Sequence, residues 1–273
     1  MEIVDRFGSA PVFSRELAGL RSYDGRLCRA EASEVPAEHA IEVYVDGVLS
    51  MRAVCTPDAL ADLAVGRLFT EGMISDAADI VRVEVDSQGT CVRVETTNDI
   101  VLPYGIDAVG TCFAGRLRPG DGCTELRPVK PIFWSDDDIF ALARRFRRDS
   151  PGHKRTFGLH SCYLAYGSDV LFFSEDLGRH NAFDKAVGRA LREGVDLTKT
   201  TVFTSGRIPV DMLSKAVRAG IPIMVSKAVP TDAAITMARS YDLTLICSAH
   251  PDAVTVFCDQ SRRGHMDRNA KSA

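Results

Sequence analysis

The stretch TTVFTSGRIPVDMLSKAVRAGIPIMVS, residues 200–226, decides the fold class of this chain. It contains two apolar strands, TTVFTS and IPIMVS, separated by a segment with the features of a helix. Pro209 suits the start of that helix, and Gly220 suits its end. Apolar strands joined by a helix are typical of a parallel sheet that is buried on both faces. Residues 200–226 therefore predict one strand-helix-strand unit of an α/β domain.

The same alternation continues on both sides of this unit. Further strands are predicted at VLFFS, LTLICSA and VTVFCD, and further helices at AFDKAVGRALREG and TDAAITMARSYD, the second with Thr231 as its predicted N-cap. An earlier helix, SDDDIFALARRFRR, has acids in its first turn, arginines in its last turn and Ser135 as its predicted cap. The pattern predicts a three-layer α/β/α fold around a largely parallel, mixed sheet. We assign residues 133–260 to this domain.

The N-terminal part predicts a smaller α+β unit. IEVYVDGVLSMRAV alternates apolar and polar residues around Asp46 and Gly47, which is typical of a β-hairpin. A helix follows, with Thr56 as its predicted N-cap and Gly72 at its end, and IVRVEVDSQGTCVRVETT predicts a second hairpin. The predicted organisation is an N-terminal segment at 1–38, a small α+β domain at 39–132 that ends in a mobile glycine-rich loop (100–132), the α/β domain, and a flexible tail at 261–273.

Composition and charge disfavour several classes of protein. The chain has 273 residues, is 45% hydrophobic and carries a formal charge of −4, which does not suit nucleic-acid binding. No stretch reaches about 18 apolar residues, and no secretory signal is visible, so neither a membrane span nor export is expected. The eight cysteines form no Cys-x-x-Cys motif. We therefore expect a cytoplasmic protein with reduced thiols.

Polar loops follow the carboxyl ends of the predicted strands, where ligands of parallel sheets bind. These loops are EDLGRHN (175–181), SGR (205–207), SKAVPT (226–231) and AHPD (249–252). Arg179, Arg207 and Lys227, together with the nearby helix starts, suit an anionic ligand. The chain has no Walker motif and no Gly-x-Gly-x-x-Gly, so ordinary ATP and NAD folds are disfavoured. A phosphorylated or nucleotide-like ligand is the resulting expectation.

Each of these polar residues also has a purely structural interpretation. Asn181 could cap the following helix, Asp176 and Arg179 could form a local ion pair, and residues 205–207 could be a simple turn. His160 could be a buried, hydrogen-bonded histidine or a ligand contact. The functional interpretation gains weight because all of these residues are predicted to converge on one edge of the sheet.

Cys112 is the candidate nucleophile. It lies in the glycine-rich segment VGTCFAG, and a thiolate on a mobile loop can reach a ligand and attack it. An incidental loop cysteine is the alternative. A zinc site of the deaminase type is not expected, because position 162 is cysteine where that motif has glutamate and Pro-Cys-x-x-Cys is missing.

Four motifs together resemble the FdhD family of formate dehydrogenase accessory proteins. They are TPDALADLAVGRLFTEGMI, EDLGRHNAFDKAVG, TSGRIPVDMLSKAVRAGIPIMVSKAVPT and LTLICSAHPDAVTVF, in the family's order between about residues 40 and 258. The resemblance implies a homodimeric sulfurtransferase with a cytidine-deaminase-like fold and no zinc. It further implies transfer of a persulfide from a cysteine desulfurase to the molybdenum bis-guanine-dinucleotide cofactor of formate dehydrogenase.

The resemblance also implies a set of site residues. Cys112 is the expected sulfur-carrying nucleophile, and no metal ligands are expected. Cofactor-binding residues are expected at His160, Asp176, Arg179, His180, Asn181, Ser205, Gly206, Arg207, Ser226, Ser248, Ala249, His250, Pro251, Asp252 and Ala253.

The chain departs from the family pattern at three places. The family's Cys-Gly-x-Cys-Gly loop keeps a single cysteine here, Cys112, and its Thr-Gly-Gly-x-His motif has Phe157 at the first glycine. Its Gly-Phe after the fourth strand is also missing from residues 247–252. One thiol suffices to carry sulfur, whereas a second allows release by disulfide formation. Three functions therefore stay open: sulfur transfer through Cys112, binding of the molybdenum cofactor or a guanine nucleotide as a chaperone, and an unrelated small-molecule enzyme.

Overall fold

The computed structural model describes residues 1–8, 14–29, 32–97, 125–148 and 150–261. In these ranges the chain forms a six-stranded sheet, a five-stranded sheet and two two-stranded ribbons. The strands are β1 (Glu2–Asp5), β2 (Ser14–Leu17), β3 (Leu20–Tyr23), β4 (Arg26–Arg29), β5 (Ser33–Pro36), β6 (His39–Val45), β7 (Val48–Cys55), β8 (Ile80–Val85), β9 (Cys91–Thr96), β10 (His160–Tyr166), β11 (Asp169–Asp176), β12 (Thr201–Thr204), β13 (Ile223–Ser226), β14 (Thr244–Cys247) and β15 (Thr255–Cys258). The helices are α1 (Leu60–Thr70), α2 (Asp136–Arg148), α3 (Pro151–Thr156), α4 (Arg179–Arg192), α5 (Val210–Arg218) and α6 (Asp232–Ser240).

The larger sheet has the strand order β11-β10-β12-β13-β14-β15. β12, β13 and β14 pair in parallel, whereas β10 is antiparallel to both of its neighbours and β15 is antiparallel to β14. β11 therefore runs in the same direction as β12, β13 and β14. The carboxyl ends of these four strands share one edge, which we call the rim. This topology confirms the predicted α/β class with a mixed sheet.

β10 is an addition to the predicted strands. The prediction places His160 ahead of the first strand, whereas the structure makes it the first residue of β10. A tight hairpin joins β10 to β11, and its Gly167 has φ +52°, a conformation that favours glycine. Because His160 pairs with Asp176 at the end of β11, the start of β10 also lies at the rim.

Helices cover both faces of the larger sheet. Phe183 of α4, Met212 of α5 and Ala234 of α6 belong to the core on one face. Leu142 and Phe146 of α2 belong to the core on the other face. The predicted three layers are thus confirmed. None of the helices within the described ranges is long and apolar enough to cross a membrane.

The smaller sheet has the order β1-β8-β9-β6-β7, and α1 packs its apolar side chains against it. Both predicted hairpins are present as β6–β7 and β8–β9. In the first, Asp46 and Gly47 have φ values of 48° and 81°, as a tight hairpin turn with two left-handed residues requires. β1, from the predicted N-terminal segment, joins this sheet as an edge strand parallel to β8.

α1 and α4 join the two sheets through an unusually close approach. A Cβ atom built on Gly66 would lie 1.8 Å from the carbonyl oxygen of Asp184, and one built on Gly188 would lie 1.9 Å from that of Asp62. Only glycine leaves room for the two backbones at this separation. The contact fixes the position of α4 relative to the smaller unit.

Two predicted helix caps are wrong. α1 begins at Leu60 after Ala59, and the hydroxyl of Thr56 caps nothing because it lies among buried charged groups instead. α4 begins at Arg179 with Gly178 at the cap position, so Asn181 lies inside the first turn. In both cases the polar side chain is hydrogen-bonded to a residue from a distant part of the chain. The predicted caps Ser135 and Thr231 are confirmed by hydrogen bonds from the backbone N–H groups of Asp138 and Ala234.

Candidate functional site

A cleft of about 600 Å³ opens at the rim of the larger sheet. Ligand pockets in proteins usually span roughly 300–1,000 Å³, so this cleft can hold a nucleotide-sized molecule. We call it the rim cleft, and its lining includes Phe146, Arg147, Ser150, His153, Lys154, Phe157, His160, Ser161, Phe203, Ser205, Lys227, His250 and Pro251.

His160 reaches the rim cleft because β10 begins where β12 ends. Its Nδ1 lies 3.2 Å from Oγ of Ser205, and the backbone N–H of Ser161 donates to the same oxygen at 3.0 Å. Burial, followed by the nearby charges of Arg179 and His153, lowers the pKa of His160 from its ordinary value of 6.5. The imidazole is therefore neutral at pH 7 and can act as a hydrogen-bonding group.

Cationic side chains surround the opening of the rim cleft. Arg147 at the end of α2, Lys154 in α3 and Lys227 after β13 are all exposed. His153 is half-buried, and its Nδ1 donates to the carbonyl oxygen of Leu159 at 2.7 Å, since a carbonyl can only accept. Three exposed cations around a concave surface suit a multiply charged anion.

Aromatic rings form the floor and one lip of the rim cleft. Phe146 and Phe203 are buried at the floor, with their ring centroids 4.6 Å apart. Phe157 lies at the mouth, is 81% exposed and has a left-handed backbone with φ 53°. A bulky side chain rarely adopts that conformation, and the resemblance has glycine at this position. The cleft thus offers both apolar and cationic contacts.

Ser226 and Gly206 hold the rim loops in place. Ser226 is fully buried, donates its hydroxyl to the carbonyl oxygen of Gly206 at 2.6 Å and accepts from the backbone N–H of Ala228 at 3.0 Å. A Cβ atom on Gly206 would lie 2.9 Å from the side chain of Arg179, so glycine is needed there. These predicted ligand residues shape the rim without lining the cleft.

Asp176 is fully buried and does not line the rim cleft. Its carboxylate accepts hydrogen bonds from the backbone N–H groups of Thr56 and Gly178 at 3.0 Å each, and from Nδ2 of Asn181 at 2.8 Å. Nζ of Lys185 lies 2.7 Å from the same carboxylate. These donors leave the carboxylate little capacity for a ligand.

We call the group formed by Thr56, Asp58, Asp176, Asn181 and Lys185 the Asp176 cluster. Burial alone would lower the pKa of the Lys185 ammonium, but the carboxylates of Asp176 and Asp58 raise it well above its ordinary value. Lys185 thus stays charged while 1% exposed. The cluster ties β11 and α4 to the loop that precedes α1, which gives Asp176 and Asn181 a structural role.

His180 does not line the rim cleft and lies between α4 and α5. It is 1% exposed, and its Nε2 lies 3.3 Å from a carboxylate oxygen of Asp211. Burial lowers the pKa of this histidine as well. The predicted ligand contact of His180 is not supported by this placement.

A second buried ionic group lies further along α4, where Asp184 lies 2.7 Å from Lys215 and 3.5 Å from Arg67.

Among the described residues, the rim cleft brings together five of the predicted ligand residues: His160, Ser205, Ala249, His250 and Pro251. Those that do not line it are Asp176, Arg179, His180, Asn181, Gly206, Arg207, Ser226, Ser248, Asp252 and Ala253. Arg207, Asp252 and Ala253 are exposed beside the cleft.

Several lining residues are not among the predicted binding residues, and they include Arg147, His153, Lys154 and Phe157. Arg147 lies in the last turn of α2 and His153 lies in α3, and neither is among the predicted binding residues. They reach the cleft because α2 and α3 cross the rim, a tertiary placement that local patterns do not reveal. The one available signal is Phe157 itself, an aromatic residue in place of glycine.

Cys112, the predicted nucleophile, lies outside the described residues, as do the rest of 98–124. Burial raises the pKa of the Cys55 and Cys247 thiols to about 12 and raises that of Cys162 strongly. A thiol must ionise to act as a nucleophile, so these three are poor candidates. Within the ranges that the structure covers, no group of three or more His, Cys, Asp or Glu side chains could hold a metal ion.

The chain is similar to known proteins over most of its length. Several relatives are named sulfur carrier protein FdhD. The one from Bacillus subtilis strain 168 has 30% identity over 89% of this chain and 94% of the relative. The one from Methanothermobacter thermautotrophicus has 30% identity over 85% and 91% of the two chains. That of Listeria innocua has 28% identity over 87% and 94%.

A solved structure has the same fold. A Desulfotalea psychrophila protein assigned as a formate dehydrogenase accessory protein superposes with a TM-score of 0.76 at 23% identity, over 92% of this chain and 99% of that chain. The model of the FdhD/NarQ family matches residues 36–263, a span that includes both sheets and the rim cleft. This chain therefore belongs to the FdhD/NarQ family.

Proposed function

We propose that this chain is a sulfur carrier that serves formate dehydrogenase. The observation that carries the proposal is the family match over residues 36–263, with relatives named sulfur carrier proteins that align over most of their length. The rim cleft is the second support, because its cationic lining suits an anionic client molecule. We take the client to be the molybdenum bis-guanine-dinucleotide cofactor, which the chain binds as a substrate.

Cys112 is the proposed sulfur-carrying residue. Its thiolate attacks the outer sulfur of a cysteine desulfurase persulfide, a new S–S bond forms on Cys112, and the desulfurase thiolate leaves. Onward release of that sulfur as sulfide takes up two electrons, which a thiol reductant would supply. Support comes from the buried thiols of Cys55, Cys162 and Cys247, whose raised pKa values make them poor competitors.

The rim cleft is the proposed binding site for a guanine nucleotide part of the client. In this proposal Lys154 and Lys227, which line the cleft, contact its phosphate oxygens, while the neutral His160 and Ser205 offer hydrogen bonds. The roughly 600 Å³ of the cleft and its aromatic floor fit one nucleotide better than a whole bis-nucleotide cofactor. A homodimer, which would supply two such clefts, fits a client with two nucleotide parts. Light scattering of the purified chain tests the homodimer.

A second candidate function is binding of the client as a chaperone without sulfur transfer. The observation that favours it is the single cysteine of the loop motif, since release by disulfide formation needs a second thiol. Both candidates predict nucleotide binding, so sulfur loading is the property that separates them.

The test is a persulfide transfer assay. The purified chain is incubated with a cysteine desulfurase and cysteine, and peptides are then examined by mass spectrometry. We expect Cys112 to gain the mass of one sulfur atom, and Cys112→Ser to abolish sulfur loading. Cys123→Ser is the matched control, because it removes a neighbouring loop thiol and should leave the loading of Cys112 intact.

Two results would count against the proposal. An unmodified Cys112 in a chain that still binds GDP favours the chaperone function. A chain that neither loads sulfur nor binds GDP contradicts both candidate functions.

A further inference from the structure

Phe157 is the most unusual residue of the rim cleft. It is 81% exposed at the mouth, although phenylalanine is an apolar side chain. Single exposed apolar residues are common and say little by themselves. Here a second observation joins the first, because the backbone of Phe157 has φ 53° and ψ 10°, at the C-cap of α3. Glycine or asparagine is usual at such a position, and a bulky residue there is an outlier.

The surroundings of Phe157 indicate what the ring can bind. His153 lies beside it, with the ring centroids 6.1 Å apart in an edge-to-face arrangement. Lys154 and Lys227 line the same cleft, and both are exposed. The free face of an aromatic ring next to cations suits a ligand that has a planar base at one end and phosphates at the other. A bare phosphate or a carboxylate has no planar base that could stack on the ring.

A comparison within the chain separates exposure from function. Phe133 is 83% exposed, as much as Phe157, but it does not line the rim cleft. Phe133 is also not among the described residues that have a positive φ, so its backbone is not left-handed. The two phenylalanines thus differ in their position and backbone while sharing the same exposed apolar area.

We propose that Phe157 is a specificity-determining residue that stacks on the base of the nucleotide bound in the rim cleft. The proposal rests on the nucleotide binding proposed above and deepens it. Stacking selects for a planar base and adds affinity that phosphate contacts alone do not give. The exposed ring lines the cleft, where it can cover the base while the lysines contact the phosphates.

The test measures affinity by calorimetry for two probes, GDP and inorganic pyrophosphate. Phe157→Gly removes the ring and at the same time relieves the strained backbone, so its melting temperature should equal or exceed that of the wild type. We expect Phe157→Gly to bind GDP about tenfold or more weakly, the range found for stacking aromatics, with unchanged affinity for pyrophosphate. Phe157→Tyr should restore GDP binding, and Phe133→Ala is the matched control with no expected change.

The outcomes separate this inference from the function on which it rests. If the wild type binds GDP and Phe157→Gly binds it equally well, the stacking inference alone is overturned. An equal loss for GDP and pyrophosphate also overturns it, because the ring would then act on the whole cleft. A wild-type chain that binds neither probe overturns the stacking inference and the proposed cleft function together.

Discussion

The rim cleft and the Asp176 cluster use the same kinds of residues for opposite purposes. Both combine lysine, serine or threonine and other polar side chains near the ends of the larger sheet's strands. Lys227 of the cleft is exposed, whereas Lys185 of the cluster is 1% exposed and lies 2.7 Å from a carboxylate. The difference teaches that a polar loop at the rim is a candidate site only if its polar groups keep unused hydrogen-bonding capacity. In the Asp176 cluster the polar groups are already paired with one another, and these pairs hold two parts of the chain together.

The largest expected effect comes from breaking the Asp176 cluster. Lys185→Met keeps the volume of the side chain but leaves the buried Asp176 carboxylate without its cation. Loss of one partner from a buried ion pair costs about 3–5 kcal/mol, and we expect the free energy of unfolding to fall by that amount. Urea denaturation followed by circular dichroism measures it. Lys199→Met is the matched control, because Lys199 forms an exposed pair with Asp196 and should change stability little. Equal stabilities of the two variants would contradict the structural role of the cluster.

The next effect concerns the close contact between α1 and α4. In Gly66→Ala the new methyl group would lie 1.8 Å from a backbone carbonyl oxygen, so the two helices must separate. Overpacking of this kind costs about 1–3 kcal/mol or more. Thermal unfolding measures the loss, and Gly19→Ala is the control, because a Cβ atom at Gly19 meets nothing within 4 Å. A Gly66→Ala chain with wild-type stability would show that the helices are further apart.

The same comparison predicts the reverse behaviour for the rim cleft. Lys227→Ala should leave the stability unchanged and weaken GDP binding by about tenfold, the value of one charge-assisted hydrogen bond. Calorimetric titration of GDP into the two chains measures the change. Lys199→Ala removes an exposed lysine away from the cleft and should bind GDP as the wild type does. A stability loss in Lys227→Ala without any loss of affinity would place this lysine with the structural residues.

The smallest expected effect is a pH dependence of stability. Burial lowers the pKa of His160 below its ordinary value of 6.5 in the folded chain. Below about pH 6.5 the unfolded chain therefore binds more protons than the folded chain, and the free energy of unfolding decreases as the pH falls. His160→Gln should make this decrease shallower between about pH 7 and 5. Urea denaturation at several pH values measures the slope, and an unchanged slope would show that the folded chain binds the proton as readily as the unfolded one.

The fold was accessible from the sequence because its signals are local. The alternation of apolar strands and helices around residues 200–226 follows from side-chain periodicity within a few turns. Ser135 and Thr231 cap their helices as predicted, since a cap needs only a neighbour three residues away. β10 is absent from the prediction. Its segment carries His160 and Cys162, which the prediction interprets only as a possible ligand contact and as part of a possible metal motif.

The candidate site was less accessible because its composition depends on distant contacts. Asp176 looks available for a ligand in the sequence, but its partner Thr56 is 120 residues away along the chain. His153 and Arg147 look like solvated residues until α2 and α3 are placed across the rim. Local patterns therefore located the edge of the sheet at which the rim cleft opens, whereas burial and long-range pairing decided which residues of that edge face the cleft.

Hydrogen–deuterium exchange with and without GDP tests the difference between the two regions most directly. We predict slower exchange of backbone amides at 153–161, 227–228 and 249–250 when GDP is bound, because these segments line the rim cleft. Amides at 176–185, which the Asp176 cluster already protects, should exchange equally slowly in both samples. Protection that appears at 176–185 while the cleft segments stay unchanged would contradict the account.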